Sequence, residues 1–308
     1  MKSFNMTLIK DENEKKWIQS CESQLQDLLK DFVSDEKMRE RMSYSLLPPG
    51  KLFRPLLVYH LASDLGQLGH DHLIFGCSLE MHHCYTLIHD DLPSMDNDDI
   101  RRGKPSSHIK FSEWEAILTG DALLGLSFQV LSKIEAPSLS SLLNLYGDKT
   151  GAQGLILGQI IDMQAKSRSI EEVLQIHKLK TSALMELALM GCAMISKRED
   201  LLETIEGFGL KLGINFQLLD DLCELTEKVQ GHEKEANPFL HFSTSEILSL
   251  LAENSRIMKN TCENHKLSSL VHFIEKFERK VFDKLTDGQE SIKSQIDFNI
   301  EDWKFLKA

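Results

Sequence analysis

Apolar residues recur at three- and four-residue spacing along almost the whole chain, and this helical period limits the possible folds more than any other feature. Strand-like alternation between turn pairs is nearly absent, and the seven prolines fall mostly at the joints between periodic segments. The sequence therefore predicts an all-α fold. The segments with a helical period lie near residues 12–33, 36–47, 53–65, 73–90, 112–133, 138–164, 170–178, 180–196, 200–226, 244–259 and 266–285.

The chain is expected to form one domain over residues 1–308, with a core at about 15–285. A length of 308 residues allows one large domain or two small ones. No internal repeat, low-complexity linker or change in composition marks a boundary, and this favours one domain. The polar tail at about 287–308 is predicted either to form a terminal helix around Trp303 or to be loosely held.

Charge and composition narrow the classes of partner. The 35 Lys and Arg residues are outnumbered by 47 Asp and Glu residues, which argues against nucleic acid or an anionic membrane surface as the main partner. The six cysteines show no CxxC or Cys/His zinc spacing, so we expect free thiols in a reducing compartment. The N-terminus lacks a signal-peptide pattern, and the most apolar stretch, 181–196, is too short to span a bilayer comfortably. A cytoplasmic protein without a membrane span is expected.

The most unusual local feature is an acidic run that begins at Asp90 and ends in cations at Lys104. Carboxylates this close repel one another by about 1 kcal/mol per pair even with water-like screening, so a cation is expected among them. Mg²⁺ prefers oxygen ligands, and arginine matches the oxygens of a phosphate. The run favours a metal–diphosphate site, and a solvated acidic loop is the alternative. Its charged residues are Asp90, Asp91, Asp96, Asp98, Asp99, Arg101, Arg102 and Lys104.

The run also follows an apolar helical segment that Pro93 should end. Its carboxylates would then lie at a helix C-terminus, where negative charge opposes the helix dipole. Such an unfavourable placement is easier to explain by function than by solubility.

A second acidic cluster lies inside the apolar segment 200–226. Its members are Asp220, Asp221 and Glu224, and residues four apart share one helix face. Alone, this cluster is compatible with a structural role. Together with the first run, it fits a helical-bundle site whose metals are held from opposite walls.

Further polar groups lie on or beside helices otherwise built for a core. Lys180 and Thr181 precede the most apolar segment, where Thr181 is predicted to cap a helix N-terminus. For each of these groups an ordinary structural role is the alternative to a functional one. The others are Lys51, Arg54, His83, Gly158, Gln159, Asp162 and Gln217.

These motifs, in this order, resemble those of the trans-isoprenyl diphosphate synthases, or polyprenyl synthetases, and most closely the short-chain bacterial farnesyl diphosphate synthases. The resemblance covers about residues 15–285. The matching stretches are Pro49-Gly50-Lys51-Leu52-Phe53-Arg54-Pro55, Asp90-Asp91 with Asp96 and Arg101-Arg102-Gly103-Lys104-Pro105, Gly158-Gln159 with Asp162, Lys180-Thr181, and Phe216-Gln217 with Asp220-Asp221 and Glu224.

The resemblance implies an all-helical homodimer, each chain a bundle around a deep central cavity. It implies condensation of isopentenyl diphosphate with dimethylallyl or geranyl diphosphate by ionisation, condensation and proton loss. Mg²⁺ would link the allylic diphosphate to Asp90, Asp91, Asp96, Asp220, Asp221 and Glu224. Arg101 would contact the allylic diphosphate, and Lys234 would bind substrate. Isopentenyl diphosphate would be held by Lys51, Arg54, His83 and Arg102, and Lys180, Thr181 and Gln217 would lie along the allylic cation.

Product length follows from the same resemblance. In this family the product grows past the fifth and fourth residues before the first aspartate, here Tyr85 and Thr86. An aromatic ring at the fifth position is typical of bacterial enzymes that stop at fifteen carbons. Farnesyl diphosphate is therefore favoured, with geranylgeranyl diphosphate as the alternative.

The chain departs from the family pattern at three places. Leu52 replaces a usual arginine, and Glu224 replaces an aspartate. The segment 226–238 is shortened and retains only Lys234 and Pro238 of a longer motif. An active synthase is favoured by the intact first motif, and a weakly active or non-catalytic paralogue that partners a true synthase is the alternative.

Overall fold

The computed structural model describes residues 11–136, 139–164, 169–228 and 237–307, and nearly all of its regular structure is helical. The all-α prediction is confirmed. The chain divides into two compact units. Among the described residues, the N-terminal unit comprises those within 11–145 and 191–199, and the C-terminal unit comprises those within 146–190 and 200–307. The single-domain organisation stays a prediction.

The N-terminal unit is built from amphipathic helices joined by short turns. Asp11, Asp35 and Ser112 each accept hydrogen bonds from backbone N–H groups at a helix start, which fixes where three of the helices begin. The helices are α1 (Glu12–Phe32), α2 (Glu36–Leu46), α3 (Phe53–Asp64), α4 (His70–Asp90), α5 (Ser107–Lys110), α6 (Glu113–Gln129) with a 3-10 turn (Val130–Lys133), and the first part of α7 (Leu139–Thr150).

A two-stranded hairpin interrupts the helices of this unit, which the helical pattern did not predict. Strand β1 (Ile100–Arg101) pairs antiparallel with β2 (Lys104–Pro105). The two connecting residues, Arg102 and Gly103, have φ angles of 52° and 78°. Positive φ at both positions is typical of the tight turn whose twist matches a β-hairpin.

The C-terminal unit carries the remaining helices, and the boundaries between the units fall within α7, within α10 and within the 3-10 turn that follows α10. These elements are α8 (Leu155–Gln164), α9 (Ile170–Ile176), a π-helical turn (His177–Ser182), α10 (Ala183–Ile195), a 3-10 turn (Glu199–Leu201), α11 (Leu202–Glu224), a 3-10 turn (Pro238–Leu240), α12 (Thr244–His265), α13 (Ser268–Asp287), α14 (Gln289–Lys293) and a 3-10 helix (Ile300–Lys307).

The prediction that Thr181 caps a helix N-terminus was wrong. Helical backbone continues from Ile170 to Ile195, and Thr181 lies inside the π-helical turn. The backbone groups of the turn are bonded within the helix, so none needs a cap. The hydroxyl of Thr181 donates instead to Oε1 of Gln217 at 3.0 Å. π-helical turns are rare and occur frequently at functional sites.

The tail ends in a 3-10 helix packed around Trp303, which is the first of its two predicted states. Trp303 is only 1% exposed and lies against Phe298 and Phe239, with ring centroids 5.9 and 6.2 Å apart. The side chain of Gln295 donates to the backbone oxygens of Leu225 and Glu227 at 2.9 and 3.1 Å. The tail therefore satisfies carbonyl groups just beyond the end of α11.

Two further expectations concern thiols and membranes. All six cysteines are buried and none forms a disulfide, as expected for thiols in a reducing compartment. Among the helices of the described residues, none combines the length and apolar character needed to cross a bilayer.

Candidate active site

The first carboxylate cluster forms where α4 stops, close to the end predicted from Pro93. Asp90 is the last helical residue and Asp91 is the cap residue, with its side chain buried. The chain then turns back, and the N–H of Asp96 donates to the backbone oxygen of Asp90 at 2.9 Å. Asp96 itself is exposed. The cluster thus combines one buried carboxylate with others open to solvent.

Arg101 neutralises part of this cluster. Its Nε donates to Asp91 at 2.8 Å, and its Nη2 donates to Asp98 at 2.9 Å. Burial raises the pKa of Asp91, and the hydrogen bond and charge of Arg101 oppose that rise. Arg101 was predicted to contact an allylic diphosphate, and here it is bound to the neighbouring carboxylates. Its role in substrate binding stays a prediction.

A group of cationic and imidazole side chains lies beside this cluster in the same unit. Arg54 at the start of α3 and Arg102 in the hairpin turn are close enough to His83 on α4 for their charges to act on its imidazole. Burial lowers the pKa of His83 well below its usual range, and the charges of both arginines lower it further. His83 is therefore neutral at pH 7 and can donate or accept a hydrogen bond without adding charge.

Glu80 provides the negative charge at the centre of this group. It is 2% exposed, and Nη2 of Arg102 lies 3.4 Å from its Oε1. Burial raises the pKa of Glu80, and the charges of Arg102 and Arg54 lower it. Burial also lowers the pKa of Arg54 to about 10, and Glu80 opposes this shift. We call Arg54, Glu80, His83 and Arg102 the cation group.

Gly50 leaves room for this arrangement. A Cβ atom at Gly50 would lie 2.6 Å from Nη2 of Arg102, so any larger residue would displace the guanidinium. Lys51 is the next residue along the chain and lies in the same loop before α3. The motif around Gly50 and Arg54 thus lies beside Arg102, and the role of Lys51 in substrate binding stays a prediction.

The second carboxylate cluster lies in the last turn of α11, in the C-terminal unit. Asp220 and Asp221 are buried, and Glu224 is the last helical residue. Oδ1 of Asp221 accepts from Nε2 of Gln217 at 2.9 Å, and Oε1 of Gln217 accepts from Thr181. A chain of hydrogen bonds thus joins three of the predicted site residues.

The other carboxylate oxygen of Asp221 is the least satisfied atom of this cluster. Among the described residues Oδ2 accepts no hydrogen bond, and it lies 3.5 Å from Nε2 of His177. Burial raises the pKa of Asp221 well above its usual range, and the charges of Glu224 and Asp220 raise it further. Buried carboxylates that repel one another favour a bound cation.

Lys180 also lies near acidic side chains. Its Nζ is 2.8 Å from Oδ2 of Asp162 on α8. Asp162 in turn contributes to the raised pKa of Asp221, so Lys180 and the second carboxylate cluster share one neighbour. The π-helical turn therefore places Lys180 and Thr181 beside α8 and α11 respectively.

Asn237 anchors the segment that follows the second carboxylate cluster to the end of α11. Its Nδ2 donates to the backbone oxygen of Asp221 at 2.6 Å and to Oε2 of Glu224 at 3.3 Å. Its Oδ1 accepts from the N–H of Phe239 at 3.1 Å, at the start of the Pro238–Leu240 turn. Lys234, predicted to bind substrate, lies outside the described residues.

The predicted chain-length residues lie on α4, one turn before Asp90. Tyr85 is 6% exposed, and its ring packs edge-on against His82 and His89 with centroids 4.6 and 5.7 Å apart. Burial raises the pKa of the Tyr85 hydroxyl to about 12, so it is neutral. The hydroxyl of Thr86 donates to the backbone oxygen of His83 at 2.8 Å.

Three residues of these clusters were not predicted from the sequence. Glu80 and His177 are polar residues within apolar helices, which is a detectable signal, but neither was singled out. Asn237 precedes a proline, and Asn-Pro pairs often begin turns, which is a weaker signal.

Both carboxylate clusters have the donor chemistry that a hard divalent cation requires. Their donors are oxygens, and the unsatisfied Oδ2 of Asp221 is available as a ligand. Within the described residues, however, no group of three or more His, Cys, Asp or Glu side chains is already arranged to hold a metal. The residues fit a divalent metal chemically, and the six-carboxylate ligand set stays a prediction.

Comparison with known proteins gives one consistent family. A farnesyl diphosphate synthase of Micrococcus luteus is 39% identical over 223 residues, covering 71% of this chain and 77% of that protein. A heterodimeric geranylgeranyl pyrophosphate synthase large subunit of Arabidopsis thaliana is 36% identical over 212 residues, covering 65% of this chain and 57% of that protein.

Comparison with solved structures points to the same family. The crystal structure of a geranyltranstransferase from Thermotoga maritima superposes with a TM-score of 0.75 at 28% identity, covering 87% of this chain and 98% of that one. The family model described as polyprenyl synthetase matches residues 35–266, which is well over half of the chain. The protein with these two carboxylate clusters and this cation group belongs to the polyprenyl synthetase family.

Proposed function

We propose that this protein is a short-chain trans-prenyltransferase that condenses isopentenyl diphosphate with dimethylallyl or geranyl diphosphate and releases farnesyl diphosphate. One observation carries most of the weight. The hairpin turn directs Arg101 to the first carboxylate cluster and the adjacent Arg102 to the cation group. Carboxylates suited to a divalent metal and cations suited to a diphosphate therefore lie side by side in one unit, which supports the proposal.

Each group of residues has a role in this reaction. The first cluster (Asp90, Asp91 and Asp96) and the second cluster (Asp220, Asp221 and Glu224) would hold Mg²⁺, which would supply positive charge that favours departure of a diphosphate. Arg101 binds the allylic diphosphate, and Lys234 is a further substrate-binding residue. Isopentenyl diphosphate is bound by Lys51, Arg54, His83 and Arg102.

The remaining residues act on the carbon skeleton. Lys180, Thr181 and Gln217 lie along the allylic cation, where oxygen dipoles favour positive charge. The hydrogen bonds from Thr181 to Gln217 and from Gln217 to Asp221 support this role, because they fix the orientation of the amide. The released pyrophosphate accepts the proton, so no protein base is needed. Water must be excluded, because an allylic cation reacts with it.

The product length, the assembly and the compartment belong to the same proposal. The ring of Tyr85 limits the product to fifteen carbons. Two copies of the chain form a homodimer through the exposed apolar residues of α6, which are Trp114, Ile117 and Leu118. Six buried cysteines without a disulfide are typical of a reducing compartment, and we place the protein in the cytoplasm.

An elongation assay tests the proposal. Labelled isopentenyl diphosphate, Mg²⁺ and dimethylallyl or geranyl diphosphate should give farnesyl diphosphate, and removing the metal with EDTA should abolish elongation. Asp90→Ala should lower the rate about 100-fold or more, which is the order of effect for losing one transition-state charge contact. Asp99→Ala removes an exposed carboxylate from the same run and should leave the rate near that of the wild type.

The outcomes separate the alternatives. A twenty-carbon product would show that the protein makes geranylgeranyl diphosphate instead of farnesyl diphosphate. No elongation with either primer would contradict the enzyme and favour a non-catalytic partner of a true synthase.

A further inference from the structure

Glu80 joins three segments of the N-terminal unit that are far apart in sequence. Its carboxylate lies 3.4 Å from Nη2 of Arg102 and accepts a hydrogen bond from the backbone N–H of Gly50. It also interacts electrostatically with Arg54. The loop before α3, the start of α3 and the hairpin turn are therefore all bound to one buried carboxylate on α4.

The arginines need such an anion. Two guanidinium groups in a partly buried group repel each other, and burial alone disfavours the charge on Arg54. Arg102 additionally sits in a left-handed backbone conformation, with φ of 52°, which a residue with a side chain adopts at a cost. The ion pair with Glu80 offsets these costs and restricts the orientation of the Arg102 guanidinium.

The cation group still has capacity for a ligand. Among the described residues Nε of Arg54 is buried and donates no hydrogen bond. Buried donors are rarely left unpaired, so this N–H indicates an oxygen atom that arrives with a ligand. Glu80 therefore orients the arginines without using every donor they carry.

We propose that Glu80 is a positioning residue for isopentenyl diphosphate, because it holds Arg54 and Arg102 in the arrangement that binds the diphosphate. Glu80 acts through the two arginines and does not itself contact the substrate. This inference rests on the proposed function, since it assumes that the cation group binds isopentenyl diphosphate.

Three variants test the role of Glu80. Glu80→Gln keeps the shape of the side chain and removes its charge. Glu80→Asp keeps the charge but shortens the side chain. Glu14→Gln is the matched control, because Glu14 is similarly buried in the same unit and its Oε1 lies 3.3 Å from Nε2 of His60. Thermal melting of each variant reports whether it is folded.

Two measurements are made on each variant. Steady-state kinetics gives KM separately for isopentenyl and geranyl diphosphate. Calorimetry gives Kd for isopentenyl diphosphate without allylic substrate or metal, so it does not depend on turnover.

For Glu80→Gln we expect KM and Kd for isopentenyl diphosphate to rise about tenfold or more, because a charge-assisted contact that orients the binding groups is lost. KM for geranyl diphosphate and kcat should stay within about threefold of the wild type. Glu80→Asp should recover part of the affinity, and Glu14→Gln should not change it.

Other outcomes would overturn the inference. They are an unchanged affinity in Glu80→Gln, or equal changes in every parameter for the Glu80 and Glu14 variants. If Glu80→Gln does not fold, the test rests on Glu80→Asp. Wild-type affinity for isopentenyl diphosphate in Glu80→Asp would then count against the inference. A wild-type protein that binds isopentenyl diphosphate but does not elongate contradicts only the proposed function. A wild-type protein that does not bind it contradicts both.

Discussion

At the scale of single residues, adjacent arginines serve different sites because they lie at the junction of a strand and a turn. Arg101 is the last residue of β1 and reaches the carboxylates after α4. Arg102 has entered the left-handed region, which redirects its side chain towards Glu80. The following Gly103 completes the turn with positive φ and no steric cost. A Lys at either arginine would keep the charge and lose the paired donors.

Tyr85 gives the residue-scale prediction. Tyr85→Ala removes a buried ring, and the space it leaves should let the product grow beyond fifteen carbons. We expect twenty-carbon geranylgeranyl diphosphate to become a main product. Chromatography of the dephosphorylated products, compared with standards, measures the change.

Two further substitutions sharpen this test. Tyr85→Phe keeps the ring and loses only the hydroxyl, so its product should stay at fifteen carbons. Thr86→Ala removes far less volume and should lengthen the product less than Tyr85→Ala does. If Tyr85→Ala still stops at farnesyl diphosphate, the ring does not set the product length.

The site was predictable to the extent that its residues form local motifs. Asp90, Asp220 and Arg54 were identified because their neighbours in sequence complete recognisable patterns. Glu80 was missed because its partners lie 22 or more residues away, and only the folded chain brings them together. A local sequence pattern shows only the neighbours of a residue along the chain. The charge of a buried acid is compensated by residues that are distant in sequence and close in the folded structure.

At the scale of elements, most helices were predictable because their apolar faces are continuous. The periodic segments 12–33, 36–47 and 53–65 end within one residue of the observed helices. The segment 138–164 is instead divided, because the helix breaks between Thr150 and Leu155. The chain around Lys180 was predicted as a helix start, because its polar residues interrupt the apolar period. A π-helical turn carries those polar residues without breaking the backbone hydrogen bonds.

Asn237 gives the element-scale prediction, because it holds the chain that follows the second cluster against the end of α11. Asn237→Ala removes bonds to Asp221, Glu224 and Phe239 and leaves buried polar atoms unpaired. We expect a loss of about 1–3 kcal/mol in the free energy of unfolding, seen as a lower Tm. The Mg²⁺ concentration needed for half-maximal rate should also rise, because Glu224 loses a fixed neighbour.

An exposed asparagine in an equivalent position controls this experiment. Asn299 accepts a hydrogen bond from the N–H of Glu301 at the start of the last 3-10 helix, where water can replace it. Asn299→Ala should therefore change Tm and the Mg²⁺ dependence very little. Equal effects of the two substitutions would show that Asn237 acts only as a turn residue.

At the scale of the whole molecule, an apolar surface on a strongly acidic chain calls for an explanation. The net charge of −12 keeps such chains apart unless a specific contact joins them. One face of α6 nevertheless exposes Trp114, Ile117 and Leu118 to 63%, 43% and 50%. These positions are three and four residues apart, so they form one stripe. Exposed apolar stripes of this kind mark protein–protein contacts.

The last prediction therefore concerns assembly. Light scattering after size-exclusion chromatography should give the mass of two chains. In a symmetric dimer each residue meets the same surface of the partner, so carboxylates placed on this face would be desolvated and would repel their copies. Ile117→Asp combined with Leu118→Asp should give a monomer. Leu68→Asp replaces an exposed leucine away from α6 and should stay dimeric. A monomeric wild type, or a double variant that remains a dimer, would contradict assembly through α6.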